Sequence, residues 1–266
     1  NLQWAINTES TGTSSTDSAT LATSLNSLSS EMDLDKSTGD VAIVATAKTA
    51  SDDLKFGGMQ VGPFGTCLNT LQPWVAKVDT NGQVQWTEVG KSDPTACLPT
   101  HAHQVVLHHD GSVTTAGHVT NQYLWGYDFG SSSVSANTAN EYRASSWIAH
   151  ADSSGNWVWA ENVTTKTSYG TYADHYFTMD KFSDDTLFFA YVSDITYCTK
   201  IEFAGSSTSS SLGSQNNRYC LNVATMNHTT SDVISLEHLI GYSSTKDTYR
   251  SDAIYSAVDS DDIAHV

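Results

Sequence analysis

The stretch WVAKVDTNGQVQW at residues 74–86 returns in altered form as WIAHADSSGNWVW at residues 147–159, an offset of 73 residues. In both copies a β-prone run ends at an aspartate, passes through a short polar segment with a glycine, and returns to a tryptophan seven places after the aspartate. Strand-forming residues on both sides of a short turn containing Asp and Gly are typical of a β-hairpin. The chain is therefore a repeat protein that contains this outer hairpin more than once.

Six residues define the two copies, and they are expected to have structural roles. The aspartates are expected to cap the turns through backbone hydrogen bonds, the glycines to take positive φ, and the tryptophans to pack between neighbouring units. These residues are Asp79, Gly82, Trp86, Asp152, Gly155 and Trp159.

Other segments complete the repeating unit. A third outer hairpin, at residues 220–236, has lost the glycine and the tryptophan and is expected to end at Leu236, while residues 1–5 resemble a returning strand alone. An inner strand pair precedes each outer hairpin, and a short motif of an aromatic and a small residue lies between the two. The inner pairs begin at residues 32, 103, 176 and 253, and the short motifs lie at residues 54–58, 126–130 and 201–205.

This unit has four strands in about 75 residues. Because a repeated four-stranded antiparallel sheet buries both faces by radial packing, the sequence predicts an all-β fold, a β-propeller of four-stranded blades. We expect a single domain over residues 1–266, with about four units and the last shared between the N- and C-termini; the alternative is a window cut from a longer array. The units are approximately residues 30–90, 100–162, 174–238, and 250–266 together with 1–6.

The motifs resemble those of the secreted β-propeller repeats of the SBBP type. The outer hairpin of that family is similar to residues 77–86, and its inner strands are similar to residues 105–117. The resemblance covers most of the chain at the level of motifs and implies a secreted propeller. The third unit departs most from the pattern, since its outer hairpin lacks the Gly and Trp.

The charge of the chain excludes several partners. Its net charge of −17 is unfavourable for nucleic acid and for anionic membranes, because both bind basic surfaces. No apolar run approaches the roughly 18 to 20 residues that span a bilayer, so no membrane insertion is expected.

At 266 residues, 39% of them hydrophobic, the chain is long enough to bury a sizeable core.

The four cysteines allow three disulfide connectivities. We expect the local pairs, Cys67 with Cys97 and Cys198 with Cys220, because each pair lies within one repeat. Disulfides indicate an oxidising compartment, so a secreted, extracellular or cell-surface location follows, with four free thiols in a cytosolic protein as the alternative.

Two sequons, at Asn162 and Asn227, are candidate N-glycosylation sites. The alternative is that they occur by chance, because the chain is rich in Asn, Ser and Thr.

Histidines cluster between residues 101 and 118, at positions 101, 103, 108, 109 and 118. Because His101 and His103 share one face of a strand, a metal site that includes a carboxylate such as Asp110 is one interpretation. Structural or surface histidines are the preferred interpretation, and no metal or other cofactor is predicted. The acidic turns at residues 184–185 and 259–262 are expected to be solvated hairpin tips instead of calcium sites.

No catalytic motif stands out, so the preferred hypothesis is a non-enzymatic structural or adhesive module. It would be an acidic extracellular glycoprotein, such as a subunit of a cell-surface filament or sheath, that associates with itself or with other extracellular proteins. The alternative is a propeller that binds or cleaves glycans, in which Trp125 or Trp157 stacks on sugars. A glycoside hydrolase remains compatible with the sequence, because its carboxylate pair comes together only in three dimensions.

Overall fold

A computed structural model of the chain describes part of its residues, and these form strands, turns and loops without a helix. The predicted all-β class is therefore confirmed. None of the described residues belongs to a helix of the length and apolarity that crossing a membrane requires. The described residues are 6, 8–9, 31–48, 54–67, 70–92, 97, 100–119, 125–136, 145–163, 177–194, 200–204, 206–209, 219–242 and 256–266.

The chain divides into two compact units, unit 1 with residues 1–137 and 147–160, and unit 2 with residues 138–146 and 161–266. The first fourteen strands provide the sheets of unit 1, except that strand residues 145–146 and 161–163 fall within unit 2. They are β1 Thr8–Glu9, β2 Glu31–Leu34, β3 Val41–Lys48, β4 Lys55–Phe56, β5 Met59–Gln60, β6 Leu71–Val78, β7 Val84–Val89, β8 Lys91–Ser92, β9 Thr100–Leu107, β10 Val113–Val119, β11 Trp125–Phe129, β12 Ser132–Ala136, β13 Ser145–Ala151 and β14 Trp157–Val163.

Eight further strands lie in unit 2. They are β15 Phe177–Lys181, β16 Leu187–Asp194, β17 Lys200–Phe203, β18 Ser206–Ser209, β19 Tyr219–Met226, β20 Val233–Tyr242, β21 Ala257–Val258 and β22 Ala264–His265.

Three four-stranded antiparallel sheets share one connectivity. Their strand orders are β2-β3-β6-β7, β9-β10-β13-β14 and β15-β16-β19-β20. In each sheet the inner strand pair is followed by the outer hairpin, and a separate two-stranded hairpin interrupts the chain between the second and third strands. The predicted unit of inner pair, short motif and outer hairpin therefore occurs three times among the described residues, and the short motif does not join the main sheet.

The short aromatic motif forms a tight hairpin of its own in each copy. Its aromatic residue is the last of the first strand, at Phe56, Phe129 and Phe203, and all three side chains are buried. The next residue has positive φ, between 45° and 59°, at Gly57, Gly130 and Ala204. Since positive φ at this place matches the twist of the flanking strands, a small residue after the aromatic is what the turn requires.

Five of the seven main hairpin turns among the described residues repeat one backbone geometry, and the turns at residues 35–40 and 227–232 are one residue longer. In the outer turn of the first sheet, the Gly82 N–H donates to Asp79 O, and the Asp79 N–H donates to Gln83 O, both at 2.9 Å. Asp79 Oδ1 accepts the N–H groups of Asn81 and Gln83 at 2.9 Å. Gly82 has φ +78°, which costs a glycine nothing.

Asp152 makes the same set of bonds in the second outer turn, with the N–H groups of Ser154 and Asn156 at 2.9 Å from its Oδ1. Gly155, at φ +90°, takes the place of Gly82. In unit 2 the residues at the corresponding left-handed position are Asp185, Ser231 and Asp262, with φ between 59° and 65°. The left-handed backbone position is therefore kept where the glycine is lost, although the turn that contains Ser231 is one residue longer.

The indole of Trp86 joins two repeats within unit 1. Its Nε1 donates to Ser153 O at 3.1 Å, in the outer turn of the next sheet. A Cβ on Gly155 would lie 2.9 Å from the Trp86 ring, so the glycine leaves the space that the indole occupies.

In the third sheet Thr225 pairs with Ser235, as Lys77 pairs with Trp86 in the first. The expected alignment of Leu236 with the tryptophans is therefore wrong by one residue, because the third turn is one residue longer.

The two large sheets of unit 1 pack against each other through small and branched side chains. Val44 and Val75 of the first sheet share a buried cluster with Leu107 and Ala149 of the second. The opposite face of the first sheet is covered by the β4–β5 hairpin, which packs Phe56 against Trp74 at a ring distance of 5.3 Å. The first sheet is therefore buried on both faces, as an internal sheet of a layered repeat would be.

A disulfide joins Cys67 to Cys97 in unit 1, with 5.0 Å between their Cα atoms. The Gln72 amide beside it donates to Cys67 O at 3.0 Å and accepts the Ser92 N–H at 3.4 Å. The predicted first cysteine pair is thus present. The second predicted pair falls partly on Cys198, which lies outside the described residues.

Carboxylates cover the exposed backbone edge of the second sheet. Asp33 on β2 accepts the Leu34 N–H through Oδ1 and the Leu107 N–H through Oδ2, both at 2.8 Å. Glu31 Oε2 accepts the Val105 N–H at 3.1 Å. Because β9 is an edge strand, its outward N–H groups would otherwise lack a protein acceptor. We call this arrangement the inner-edge clamp.

A second copy of the clamp lies within the described part of unit 2. Asp180 on β15 accepts the Lys181 N–H through Oδ1 at 2.8 Å and the Val258 N–H through Oδ2 at 2.7 Å. Thr178 Oγ1 accepts the Ser256 N–H at 3.3 Å, in the place that Glu31 has in unit 1. The clamp therefore links the first sheet to the second and the third sheet to the β21–β22 pair.

Removal of the clamp in unit 1 tests its contribution. We expect Asp33→Ala to lower the free energy of unfolding by about 1–3 kcal/mol, because two N–H groups lose a charged acceptor. Chemical denaturation measures this value, with Met32→Ala as the control, since Met32 is the 73% exposed neighbour on the same strand. Equal effects of the two substitutions would show that the clamp contributes nothing.

The capped turns also predict a pH dependence. Burial raises the pKa of Asp152, but hydrogen bonds from Asn156 and Ser154 and the charge of His150 outweigh it, so the pKa lies below 3.8. A folded-state pKa below the unfolded value gives stability that is present above that value and is lost as the pH falls. We expect Asp152→Asn, which keeps a cap that does not titrate, to lose less stability than wild type below about pH 4. Thermal unfolding across this range measures it, and parallel loss in both proteins would contradict it.

Candidate functional site

The sheet formed by β9, β10, β13 and β14 carries most of the histidines that the structure places inside the fold. It contains His101 and His103 on β9, His118 on β10 and His150 on β13, and His108 directly follows β9. These five residues form two groups, one near each end of β9. Both groups belong to unit 1.

The first group, which we call the histidine triad, consists of His101, His103 and His118. His118 lies directly opposite His101 in the β9–β10 pairing, and the ring centres of the two are 5.1 Å apart. The ring centre of His103 also lies 5.1 Å from that of His118, at an angle of 61° between the ring planes. The three imidazoles therefore form one contact group.

A β-bulge brings the triad together. The register of β9 and β10 shifts between Ala116 and Gly117, so that Gln104 pairs with Ala116, Ala102 pairs with Gly117, and His103 is the additional residue. A bulge bends the strand and redirects its side chains. Gly117 is required here, because a Cβ at this position would lie 1.9 Å from His101 O.

Burial keeps His101 and His103 in their neutral form. It lowers the pKa of His101, and it lowers the pKa of His103 to about 4, with the neighbouring His101 contributing to the second shift. At neutral pH both rings are therefore uncharged. The Nδ1 atoms of both residues are buried and make no hydrogen bond to any part of the chain that the structure describes. An imidazole nitrogen in this state has a lone pair or a proton without a partner.

The second group is a buried hydrogen-bonded chain. Thr114 Oγ1 lies 2.8 Å from His108 Nε2 and 2.9 Å from His150 Nδ1. The His150 ring stacks on the Trp159 indole, with ring centres 5.4 Å apart and planes 9° apart. One hydroxyl can donate to one ring and accept from the other, so Thr114 links the tautomers of the two histidines. This group explains how one of the repeat tryptophans is held.

The metal site considered from the sequence had a different composition. Asp110, its suggested carboxylate, caps its own turn by accepting the N–H of Ser112 at 2.8 Å and the Ser112 hydroxyl. The structure instead adds His118 to His101 and His103. His118 belongs to the histidine cluster of the sequence, but only the strand register places it opposite His101.

The two sequons lie in different structural environments, one in a turn and one in a strand. Asn227 begins the turn between β19 and β20, where its Oδ1 accepts the Thr229 N–H at 2.9 Å and the Thr229 hydroxyl at 2.7 Å. Asn227 therefore caps its turn as the repeat aspartates do. Asn162 lies in β14, with a half-buried side chain. N-glycosylation at either residue stays a prediction.

In each acidic turn the first aspartate accepts hydrogen bonds from its own turn, whereas Asp262 accepts the Ser183 N–H at 2.7 Å. Asp184 Oδ1 accepts the Thr186 N–H at 2.9 Å, and Asp259 Oδ1 accepts the N–H groups of Asp261 and Ile263 at 2.9 and 3.0 Å. His265 lies 2.9 Å from the other oxygen of Asp259. These contacts are those of capped hairpin turns.

Trp157 does not offer a platform for a sugar. Its side chain is 9% exposed, and its ring meets the Phe129 ring edge to face at a distance of 5.0 Å. A Cβ on Gly130 would lie 3.1 Å from Trp157 Cβ, so this side of the residue is also covered. The suggestion that Trp157 stacks on glycans is therefore wrong. Trp125 is the first residue of β11, and its side chain is outside the described part of the structure.

Comparison with protein-family models finds no family that matches this chain, and comparison with curated proteins finds no match either.

Proposed function

We propose that the chain is a non-enzymatic structural or adhesive module that works outside the cell and associates with itself. The observation that carries this proposal is the pattern of exposed apolar residues on outer edge strands. Ile234 and Leu239 on β20 are 61% and 45% exposed, and Val158 on β14 is 46% exposed. Each of these strands is the last of its sheet, so its outer edge forms no ladder with another described strand. On β14 one carbonyl of this edge, Val158 O, accepts the Ser132 hydroxyl at 3.1 Å.

Open edges with apolar side chains favour association. An edge strand presents unpaired N–H and C=O groups that another strand can join, and proteins usually protect such edges with charges. Ile234 lies between the pairs Thr225–Ser235 and Met226–Val233. It is the additional residue of a β-bulge and has no partner residue in the ladder. Gln85 occupies the corresponding place in the first sheet and bonds to Asp79 at 3.0 Å instead. The outward position thus changes from polar to apolar between repeats.

The Cys67–Cys97 disulfide supports the extracellular part of the proposal, because disulfides persist in oxidising compartments. The three sheets of equal connectivity support the further proposal that they are blades of a β-propeller. Negative-stain electron microscopy of the purified protein tests the propeller. A disc with a central hole is expected, and an elongated stack of sheets without a ring would contradict it.

Self-association is tested by light scattering coupled to size-exclusion chromatography over a series of protein concentrations. We expect wild type to form larger species as concentration rises and Ile234→Lys to remain smaller, because a charge on the edge strand opposes pairing. Ser260→Lys is the matched control, since it adds the same charge at an exposed turn of unit 2. A wild-type protein that stays monomeric throughout would contradict the proposal, as would equal effects of both lysines.

A further inference from the structure

We propose that Asn227, and not Asn162, carries an N-linked glycan. Both residues begin a sequon, Asn-x-Thr with x other than Pro, which is the acceptor for N-glycosylation in a secreted protein. The sequence does not distinguish the two sequons, whereas the structure gives them different surroundings. The inference rests on the extracellular part of the proposed function, because the sugar is added in the secretory pathway.

The capping contacts of Asn227 use its oxygen alone. Asn227 Oδ1 accepts the Thr229 N–H at 2.9 Å, the Thr229 hydroxyl at 2.7 Å and the Thr230 N–H at 3.2 Å. Because backbone N–H groups only donate, these bonds identify which end of the amide is the oxygen. Nδ2, the atom that would receive the glycan, makes no hydrogen bond in the described part of the chain.

The first two outer turns cover the corresponding atom. Asp79 Oδ2 accepts the Gln85 amide at 3.0 Å, and Asp152 Oδ2 accepts the Asn156 amide at 3.1 Å. In the third turn Ile234 takes the place of Gln85 and has no polar group to offer. The changes from Asp to Asn and from Gln to Ile together give this turn an amide nitrogen that no side chain holds by a hydrogen bond.

The turn that contains Asn227 lies at the surface. Thr229, Thr230 and Asp232 are exposed, and the side chain of Asn227 is partly exposed. A glycan is bulky and hydrophilic, so it requires a surface position in the folded protein. The end of the β19–β20 hairpin provides such a position.

The contacts between Asn227 and Thr229 lie within the sequon. A side chain that accepts the N–H of the residue two places on forms an Asx turn, which needs no tertiary structure. This turn is therefore available while the chain is still folding as well as in the folded protein. The local preference and the fold thus agree at this sequon.

Asn162 has surroundings of the opposite kind. It lies in strand β14, its Oδ1 is buried, and the next residue, Val163, is 4% exposed. The Glu161 carboxylate before it accepts the Ser231 hydroxyl at 3.4 Å, so this end of β14 contacts the turn between β19 and β20. A glycan on Asn162 would start from a covered part of a strand, which the folded protein disfavours.

The transfer uses a lipid-linked oligosaccharide as its second substrate. Nδ2 of Asn227 forms a bond to C1 of the first sugar, while the bond from C1 to the oxygen of the lipid diphosphate breaks. Nδ2 loses one proton and the lipid diphosphate leaves, so no oxidant or reductant takes part. The transferring enzyme and the oligosaccharide donor belong to the secreting cell.

The test expresses the full chain behind a signal peptide in a eukaryotic secretory host. The secreted protein is treated with peptide N-glycosidase in ¹⁸O water, which converts a glycosylated Asn to labelled Asp, and mass spectrometry locates the label. Most molecules are expected to be labelled at Asn227 and few at Asn162. Absence of label at Asn227, or label at Asn162 equal to or above that at Asn227, would overturn the proposal.

Variants assign the glycan by its mobility shift on a gel. Asn227→Asp keeps the oxygen that caps the turn, as in Asp79 and Asp152, and removes the nitrogen, so it is expected to lose the shift. Its thermal midpoint is expected to equal that of glycosidase-treated wild type, which has the same Asp at this place. Thr229→Ser and the matched control Asn162→Gln are expected to keep the shift. A shift that persists in Asn227→Asp would overturn the proposal.

The same material separates this inference from the proposed function. The host supplies secretion, so the glycan result does not depend on where the chain is located in its own cell. Secreted wild type without a glycan that still associates as its concentration rises would overturn the glycan site alone. A protein glycosylated at Asn227 that stays monomeric would support the site and contradict self-association.

Discussion

Trp86→Ala is expected to lower the free energy of unfolding by about 3–5 kcal/mol, the range typical of large buried aromatic residues. Trp86 is 7% exposed, and its indole packs on the turn of the next repeat, where its Nε1 bonds to Ser153 O. The substitution removes both the packing within its own sheet and the contact between sheets. Chemical denaturation followed by circular dichroism measures the change.

Two further variants separate the contributions of Trp86. Trp86→Phe keeps an aromatic ring but loses the hydrogen bond, so its cost is expected to lie between those of wild type and Trp86→Ala. Gln83→Ala, at an exposed position in the same hairpin, is expected to change stability by less than about 0.5 kcal/mol. A Trp86→Ala cost as small as that of Gln83→Ala would show that the indole does not join the repeats.

Gly117→Ala is expected to destabilise the fold by about 3 kcal/mol or more, at the upper end of overpacking effects. The added methyl group would lie 1.9 Å from His101 O and 2.5 Å from Trp147 Cζ2, so the β9–β10 bulge has to open or shift. Because the bulge arranges the histidine triad, the same substitution is also expected to change the surroundings of the His101, His103 and His118 rings. Thermal unfolding measures the loss of stability, and long-range ¹⁵N–¹H correlation spectra of the histidine rings measure the change in the triad.

Gly58→Ala is the matched control for Gly117→Ala. A Cβ on Gly58 meets nothing within 4 Å, but its φ of +81° is unfavourable for alanine. Its expected cost is about 1 kcal/mol, from backbone strain alone. Equal costs at the two glycines would mean that the space around Gly117 is not the constraint that the structure indicates.

The repeat was predictable from sequence because its signals are local. An aspartate that caps a turn, a glycine with positive φ and an aromatic residue before a tight hairpin each act within a few residues, and each recurs at a fixed spacing. The all-β class and the order of inner pair, short motif and outer hairpin followed from these signals. The Cys67–Cys97 pair followed from the same local argument, since both cysteines lie within one repeat.

The histidine triad could not be predicted in full because it depends on strand register. His118 joins His101 only through the pairing of β9 with β10, and the bulge at Gly117 has no mark in the sequence beyond the glycine itself. The alignment of the third repeat failed for a related reason. Ser231 takes the left-handed backbone without being glycine, so the longer turn left no sequence signal that fixes Ser235 opposite Thr225.

The inner-edge clamp was missed although the sequence contains a trace of it. Asp33 and Asp180 each lie two residues before the inner turn of their sheet, whereas Val106 has that place in the second sheet. A carboxylate on a strand that faces another repeat is unusual, so Asp33 and Asp180 could have been singled out from the sequence. Its meaning, an acceptor for the backbone of the next repeat, is a tertiary contact that pattern analysis does not supply.

Each of the three sheets skips the short hairpin, so that the inner pair joins the outer hairpin directly. Nuclear Overhauser effects between backbone protons of opposed strands detect this connection. We expect contacts of Ile43 with Ala76 between β3 and β6, and of Phe189 with Ala224 between β16 and β19. Contacts of β3 with β4 instead, in plain chain order, would contradict it.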